Sequence, residues 1–125
     1  RARAILLAAL FVAAAPGAAL ADTRSTNDGV YTADQAARGA KAHVDYCAKC
    51  HHQSYYSAGF LDPWYGASLE SLYELVRMKM PEDRPGALRP REYAALLAWV
   101  LELNGYPAGA EPLGFDLEAL RAVRI

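Results

Sequence analysis

The chain is poor in residues that bind soft metals. Its 125 residues hold two cysteines, two methionines and three histidines. So few cysteines exclude a framework of several disulfides. They also exclude a zinc site built from two separated cysteine pairs, because no second pair exists. Charge of one sign is lacking too. Lys and Arg number 13 against 14 Asp and Glu, a formal net charge of −1, so no polybasic footprint for nucleic acid or membrane is present. The longest apolar run, Ala4 to Ala15, falls short of the ~20 residues a membrane-spanning helix needs. There is no internal repeat. This length and composition suit one small domain behind a leader.

Both cysteines fall in one pentapeptide, Cys47-Ala48-Lys49-Cys50-His51. C-x-x-C-H reads as a c-type haem attachment site. Each sulfur would add to one haem vinyl group. On a helical turn, positions i, i+3 and i+4 share one side, so Cys47, Cys50 and His51 can supply two tethers and a proximal iron ligand together. Two other chemistries use such cysteines. A thioredoxin-like pair expects a βαβ setting, and no strong strand signal surrounds the motif. Half of a zinc site, with His51 or His52 as a further ligand, lacks its other half. His43 precedes Cys47 by four residues and lies on the same segment as His51. The two imidazoles cannot take opposite faces of one haem, so His43 is expected at the surface or in packing. His52 is expected to be a bystander.

Residues 1–21 have the form of a secretory signal peptide. Arg1 and Arg3 precede the apolar run, Pro16-Gly17 break it, and Ala19-Leu20-Ala21 is a small-residue cleavage site. An uncleaved anchor is the competing reading. Export places the protein outside the cytoplasm, in a periplasm, where the paired cysteines would otherwise form a disulfide. Residues 22–30 are polar and read as a flexible leader, and residues 31–125 as the folded domain.

Four helices are predicted. Thr32-x-x-Gln35 forms a capping box for a helix through about Tyr46. Gly39 inside it, costly by about 1 kcal/mol relative to Ala, suggests a close helix–helix approach. Gln53–Gly66 is a loop rich in aromatics. Trp64 is its first candidate for lining a haem edge, with an apolar ring and a polar N–H. Ser68 caps a second helix to about Met78, with an apolar face at Leu69, Leu72, Tyr73 and Val76. Pro90 suits the first turn of a third helix, which ends before Gly105. Asp116 caps a short last one.

An iron held by a proximal His can take a thioether on its far side. Met80 precedes Pro81, which disfavours helix there, so it should be extended and free to project. Met78 fits the last helical turn as a core residue. Met80 is therefore the candidate distal ligand. Met78, or an open sixth position, is the alternative.

The order of elements resembles class I cytochromes c across about residues 31–106. The likeness is tightest at Cys47-x-x-Cys50-His51. It is also tight at Met80-Pro81-x-Asp83-x-Pro85-Gly86-x-Leu88, leading to Tyr93-Ala94-x-Leu96-Leu97-Ala98-Trp99-x-Leu101 and Asn104-Gly105-Tyr106-Pro107-x-Gly109. This part is similar to small bacterial cytochromes and to the modules serving quinoprotein alcohol dehydrogenases. The resemblance implies an all-α cytochrome c fold, three to four helices around one covalently bound haem c. It implies Cys47 and Cys50 as thioether sites, His51 and Met80 as iron ligands, and a Gly39–Trp99 contact where the first and last helices cross. It further implies an electron carrier rather than an enzyme, with redox proteins as partners: a dehydrogenase and an oxidase or another cytochrome. Two other functions remain open, a cytochrome subunit bound permanently to such a dehydrogenase and a five-coordinate haem sensor or peroxidase-like protein. Position 52 departs from the family, being His where Gly is frequent, and the stretch from His51 to Trp64 is short.

Overall fold

The computed structural model describes residues 23–125. The expected signal peptide, residues 1–21, lies outside the described residues. Among the described residues no helix is long and apolar enough to cross a membrane.

Helix α1, Ala33–Tyr46, starts where Thr32 Oγ1 accepts the Gln35 N–H. The expected capping box is only half made. The Gln35 side chain turns away to Leu113, donating from Nε2 to its carbonyl and accepting its N–H, both at 2.7 Å. Helix α2, Leu69–Lys79, is capped by Ser68, and α3, Pro90–Leu103, begins on proline. Asp116 caps α4, Leu117–Arg121, which is shorter than its apolar pattern suggests. The domain is thus mostly helical.

The long helices α1 and α3 pack against each other, and Gly39 sets their distance. A Cβ there would overlap the Ala95 carbonyl and come within 2.7 Å of Trp99 Cβ. Only glycine lets the backbones approach this closely. The core continues through Leu69, Leu72 and Tyr73 of α2 and Tyr93, Leu97 and Leu101 of α3.

Residues 22–30, expected to be a flexible leader, are ordered in their described part. Strand β1, Arg24–Ser25, pairs in parallel with β2, Val123–Arg124. A short 3-10 turn follows at Thr26–Asp28, capped by Ser25, and Thr26 and Val30 are buried. Gly29, with φ of +65°, lies against the backbone of Gly109. Gly109 N–H donates to the Tyr31 carbonyl at 2.6 Å. The C-terminus also reaches the start of α2. Ile125 exchanges main-chain bonds with Gly66 and Ala67 at 2.9 and 3.0 Å, and Arg121 pairs with Glu70. Main-chain pairing as distant as Arg24 with Val123 has no local composition to announce it, and polar side chains mask it as a linker.

Candidate functional site

The cysteine motif is a single turn added to the end of α1. The His43 carbonyl accepts the N–H groups of Cys47 and Ala48, both at 2.8 Å. The Cys47 carbonyl then accepts those of Cys50 at 3.0 Å and His51 at 2.8 Å. These bonds close over i+3 and i+4, which puts Cys47, Cys50 and His51 on one side of the turn. Both thiols are free. Cys47 is half-buried and Cys50 exposed.

The position of the motif argues against a thiolate-based redox pair. Reactive dithiols gain acidity at a helix N-terminus, whereas this pair stands at a C-terminus, where the dipole disfavours negative charge. Burial pushes the Cys47 thiol further up. The zinc reading fares no better. No group of three His, Cys, Asp or Glu side chains placed to hold a metal ion occurs among the described residues.

His43 is not a surface residue. It is buried, its ring 4.6 Å from that of Trp99 and 5.4 Å from that of Tyr56. Its Nε2 lies 2.9 Å from the His51 carbonyl oxygen. His52 caps the 3-10 turn at Gln53–Tyr56 instead, its Nδ1 accepting the Ser54 N–H.

The loop after the motif is a stack of rings. His51 lies against Tyr55 at 5.1 Å, and Tyr56 makes edge contacts with Tyr55, Phe60 and Trp99 at 5.1 to 5.5 Å. Burial, then the neighbouring Cys47 and Tyr55, push the Tyr56 phenol well above its usual range, so it stays protonated. Asn104, at the end of α3, holds the loop by donating to the Tyr56 carbonyl at 2.7 Å.

The cysteine turn and the aromatic loop border one cavity of about 850 Å³, within the ~300–1,000 Å³ range of cofactor pockets. Its walls include Leu72 and Val76 of α2 and Leu96, Leu97 and Val100 of α3. Tyr55, Tyr56, Phe60 and Trp64 come from the loop. Cys47, Cys50 and His51 border it from one element and Met80 from another. Trp64 lies on the cavity wall. Tyr65, its neighbour in the chain, does not. It is exposed and borders a separate shallow hollow with Asp62 and Tyr106.

The two methionines separate cleanly. Met80 ends α2 in an extended conformation, with φ −126° and ψ 148°. Its carbonyl accepts the Tyr93 hydroxyl at 2.8 Å, and that oxygen in turn accepts the Leu88 N–H at 3.4 Å. Met78 was expected in the core but is 55% exposed. It stands two residues past Val76, about 200° around the helix from the apolar face.

Comparison of the chain with family models, curated proteins and solved structures finds no match to any of the three.

The donor set and the walls fit a covalently held haem. Two sulfurs and an imidazole come from one turn, a thioether comes from the residue that ends α2, and large apolar side chains form most of the wall, with charged residues at its edge. Two positions that organise the site were not assigned from sequence. Tyr93 stands in the sequence only within the run that carries the resemblance, because a phenol's reach to Met80 depends on how α3 packs on α2. His43 was set aside as a ligand, and its actual contact is to the main chain.

Proposed function

We propose that the chain is a mono-haem electron carrier of the class I cytochrome c type, working outside the cytoplasm. The observation that carries this reading is that Cys47, Cys50, His51 and Met80 border a single apolar cavity of cofactor size. The cytochrome c fold itself belongs to this proposal. Support comes from the α1–α3 crossing at Gly39 and from the extended Met80 after α2.

Haem bound here would supply a one-electron iron couple and a conjugated edge. The chain's own residues do the rest. Cys47 and Cys50 would tether the ring, and His51 and Met80 would ligate its iron, a pairing that would raise the reduction potential. Tyr93 anchors the Met80 peptide. Leu72, Val76, Leu96, Leu97 and Val100 would give the ring apolar contact. No substrate bond is broken, so the site needs no general acid or base.

The mouth of the cavity suits transient encounters. Tyr46, Tyr55 and Leu75 line it and are exposed. Lys49, Lys79 and Arg84 stand there beside Asp45, Glu82 and Asp83. A rim with both signs gives little electrostatic steering, and redox encounters are usually small. The partners are redox proteins, a dehydrogenase on one side and an oxidase or another cytochrome on the other.

The test compares Met80→Ala with Met78→Ala in protein matured with haem. Met80→Ala should keep covalent haem, lose the thioether–iron absorption of the oxidised form, lower the potential and bind carbon monoxide readily when reduced. Met78→Ala should match the wild type. The reverse result, or a colourless wild type whose mass is that of the polypeptide alone, would overturn the reading.

A further inference from the structure

His43 touches the cysteine motif at both of its ends. Its carbonyl accepts the first two N–H groups of the turn, those of Cys47 and Ala48. Its side-chain Nε2 meets the carbonyl of His51, the last residue, at 2.9 Å. A carbonyl oxygen can only accept, so Nε2 carries the hydrogen and donates. The ring has little freedom to leave. It is 4% exposed, tilted against Trp99 and edge-on to Tyr56. The His51 peptide is therefore held by a donor that is itself packed into the α1–α3 crossing.

We propose that His43 is a positioning residue for His51. It anchors the peptide that carries the proximal imidazole and so restricts where that ring can point. A ligand whose backbone can swing samples several ring orientations, and a hydrogen bond from a locked side chain removes that freedom. The bond is local, but its rigidity comes from Trp99 on α3. The helix crossing and the ligand are thus coupled through one imidazole. This inference rests on the haem reading above and adds to it a role for a residue that cannot itself ligate the iron.

Three proteins loaded with haem test it: the wild type, His43→Phe and His43→Gln. Phe keeps a ring against Trp99 and lacks the donor. Gln lacks the ring, but its Nε2 reaches about as far as the imidazole Nε2 and donates. The readout is the paramagnetic NMR spectrum of the oxidised protein, in which the His51 ring and haem methyl positions report ligand orientation. The proposal expects one set of signals for the wild type, shifted or doubled signals for His43→Phe, and a return toward wild-type positions for His43→Gln. Nitrogen-15 spectra should show His43 with a slowly exchanging hydrogen on Nε2. Wild-type signals from His43→Phe, or equal displacement in both variants, would overturn the proposal. If His43→Phe does not mature, His43→Gln decides alone: wild-type signals support the role, displaced ones remove it. A wild type without haem sinks the underlying reading, whereas failure in the variants beside a haem-bearing wild type sinks this inference only.

Discussion

The two ends of this domain are held together by different means. At one end the cavity is walled by side chains, with rings and aliphatic groups around two thiols, an imidazole and a thioether. At the other, residues 24–35 and 109–125 close on each other mostly through the main chain. The bonds there are the β1–β2 pair, the Gly109–Tyr31 bond and the Gln35–Leu113 pair. The first end is walled by side chains that also belong to the core, among them Leu72 and Leu97, so its chemistry and its packing share residues. The second end carries no chemistry, and its loss would cost the fold. Function and stability are therefore separable only at the second end; along the cavity wall and at the α1–α3 crossing of Gly39 they share residues.

The contrast can be broken most directly at the cavity. Replacing both Cys47 and Cys50 by Ala should abolish covalent haem, leaving a protein of polypeptide mass by mass spectrometry. Retention of covalent haem would remove the basis of the site. Gly39→Ala should come next. Its methyl has no space against the Ala95 carbonyl, and separating the helices should cost about 3 kcal/mol, at the upper end of overpacking penalties. Urea denaturation measures the loss, and the visible spectrum should change with it, since Trp99 and His43 shift as well.

At the clasp, Gln35→Met should leave the Leu113 N–H and carbonyl without their buried partner. A loss of about 2 kcal/mol is expected from such orphaned groups, with the absorption spectrum unaltered. A spectral change of the size caused by Met80→Ala would show that the two ends are not separable.

The smallest effect belongs to the exposed pair of Arg121 with Glu70. The guanidinium holds the Glu70 carboxyl below its usual range. A depressed carboxylate contributes stability above its unfolded-state value, and that contribution is lost as pH falls through the folded-state value. Arg121→Ala should therefore narrow the stability difference from wild type on acidification. High salt should shrink that difference further, since exposed pairs are screened. Melting curves across pH 2 to 7 would measure it.

Local hydrogen bonding is legible in the sequence. Thr32, Ser68 and Asp116 cap the helices expected of them, Pro90 starts α3, and Gly105 follows its end with φ of +81°. Each depends on neighbours within four residues, where sequence and space coincide. The same is true of the Cys47–His51 turn. Met78 is apolar by hydropathy, yet its angle on α2 turns it from the apolar face. Residues 22–30 look like a linker because main-chain pairing leaves side chains free to be polar.

Sequence alone determined which groups the chain offers for chemistry: two thiols and an imidazole at fixed spacing, and a methionine forced out of helix by the proline after it. Tertiary structure alone decided that Met80 shares a cavity with them, that Met78 does not, that Tyr93 and His43 hydrogen-bond the two segments, and that residues 24–35 clasp residues 109–125. Spacing along a helix is set by bond geometry within a turn. Which distant segments meet is set by how closely α1 and α3 can pack, and that depends on an absent side chain at Gly39 finding the Ala95 carbonyl across the interface.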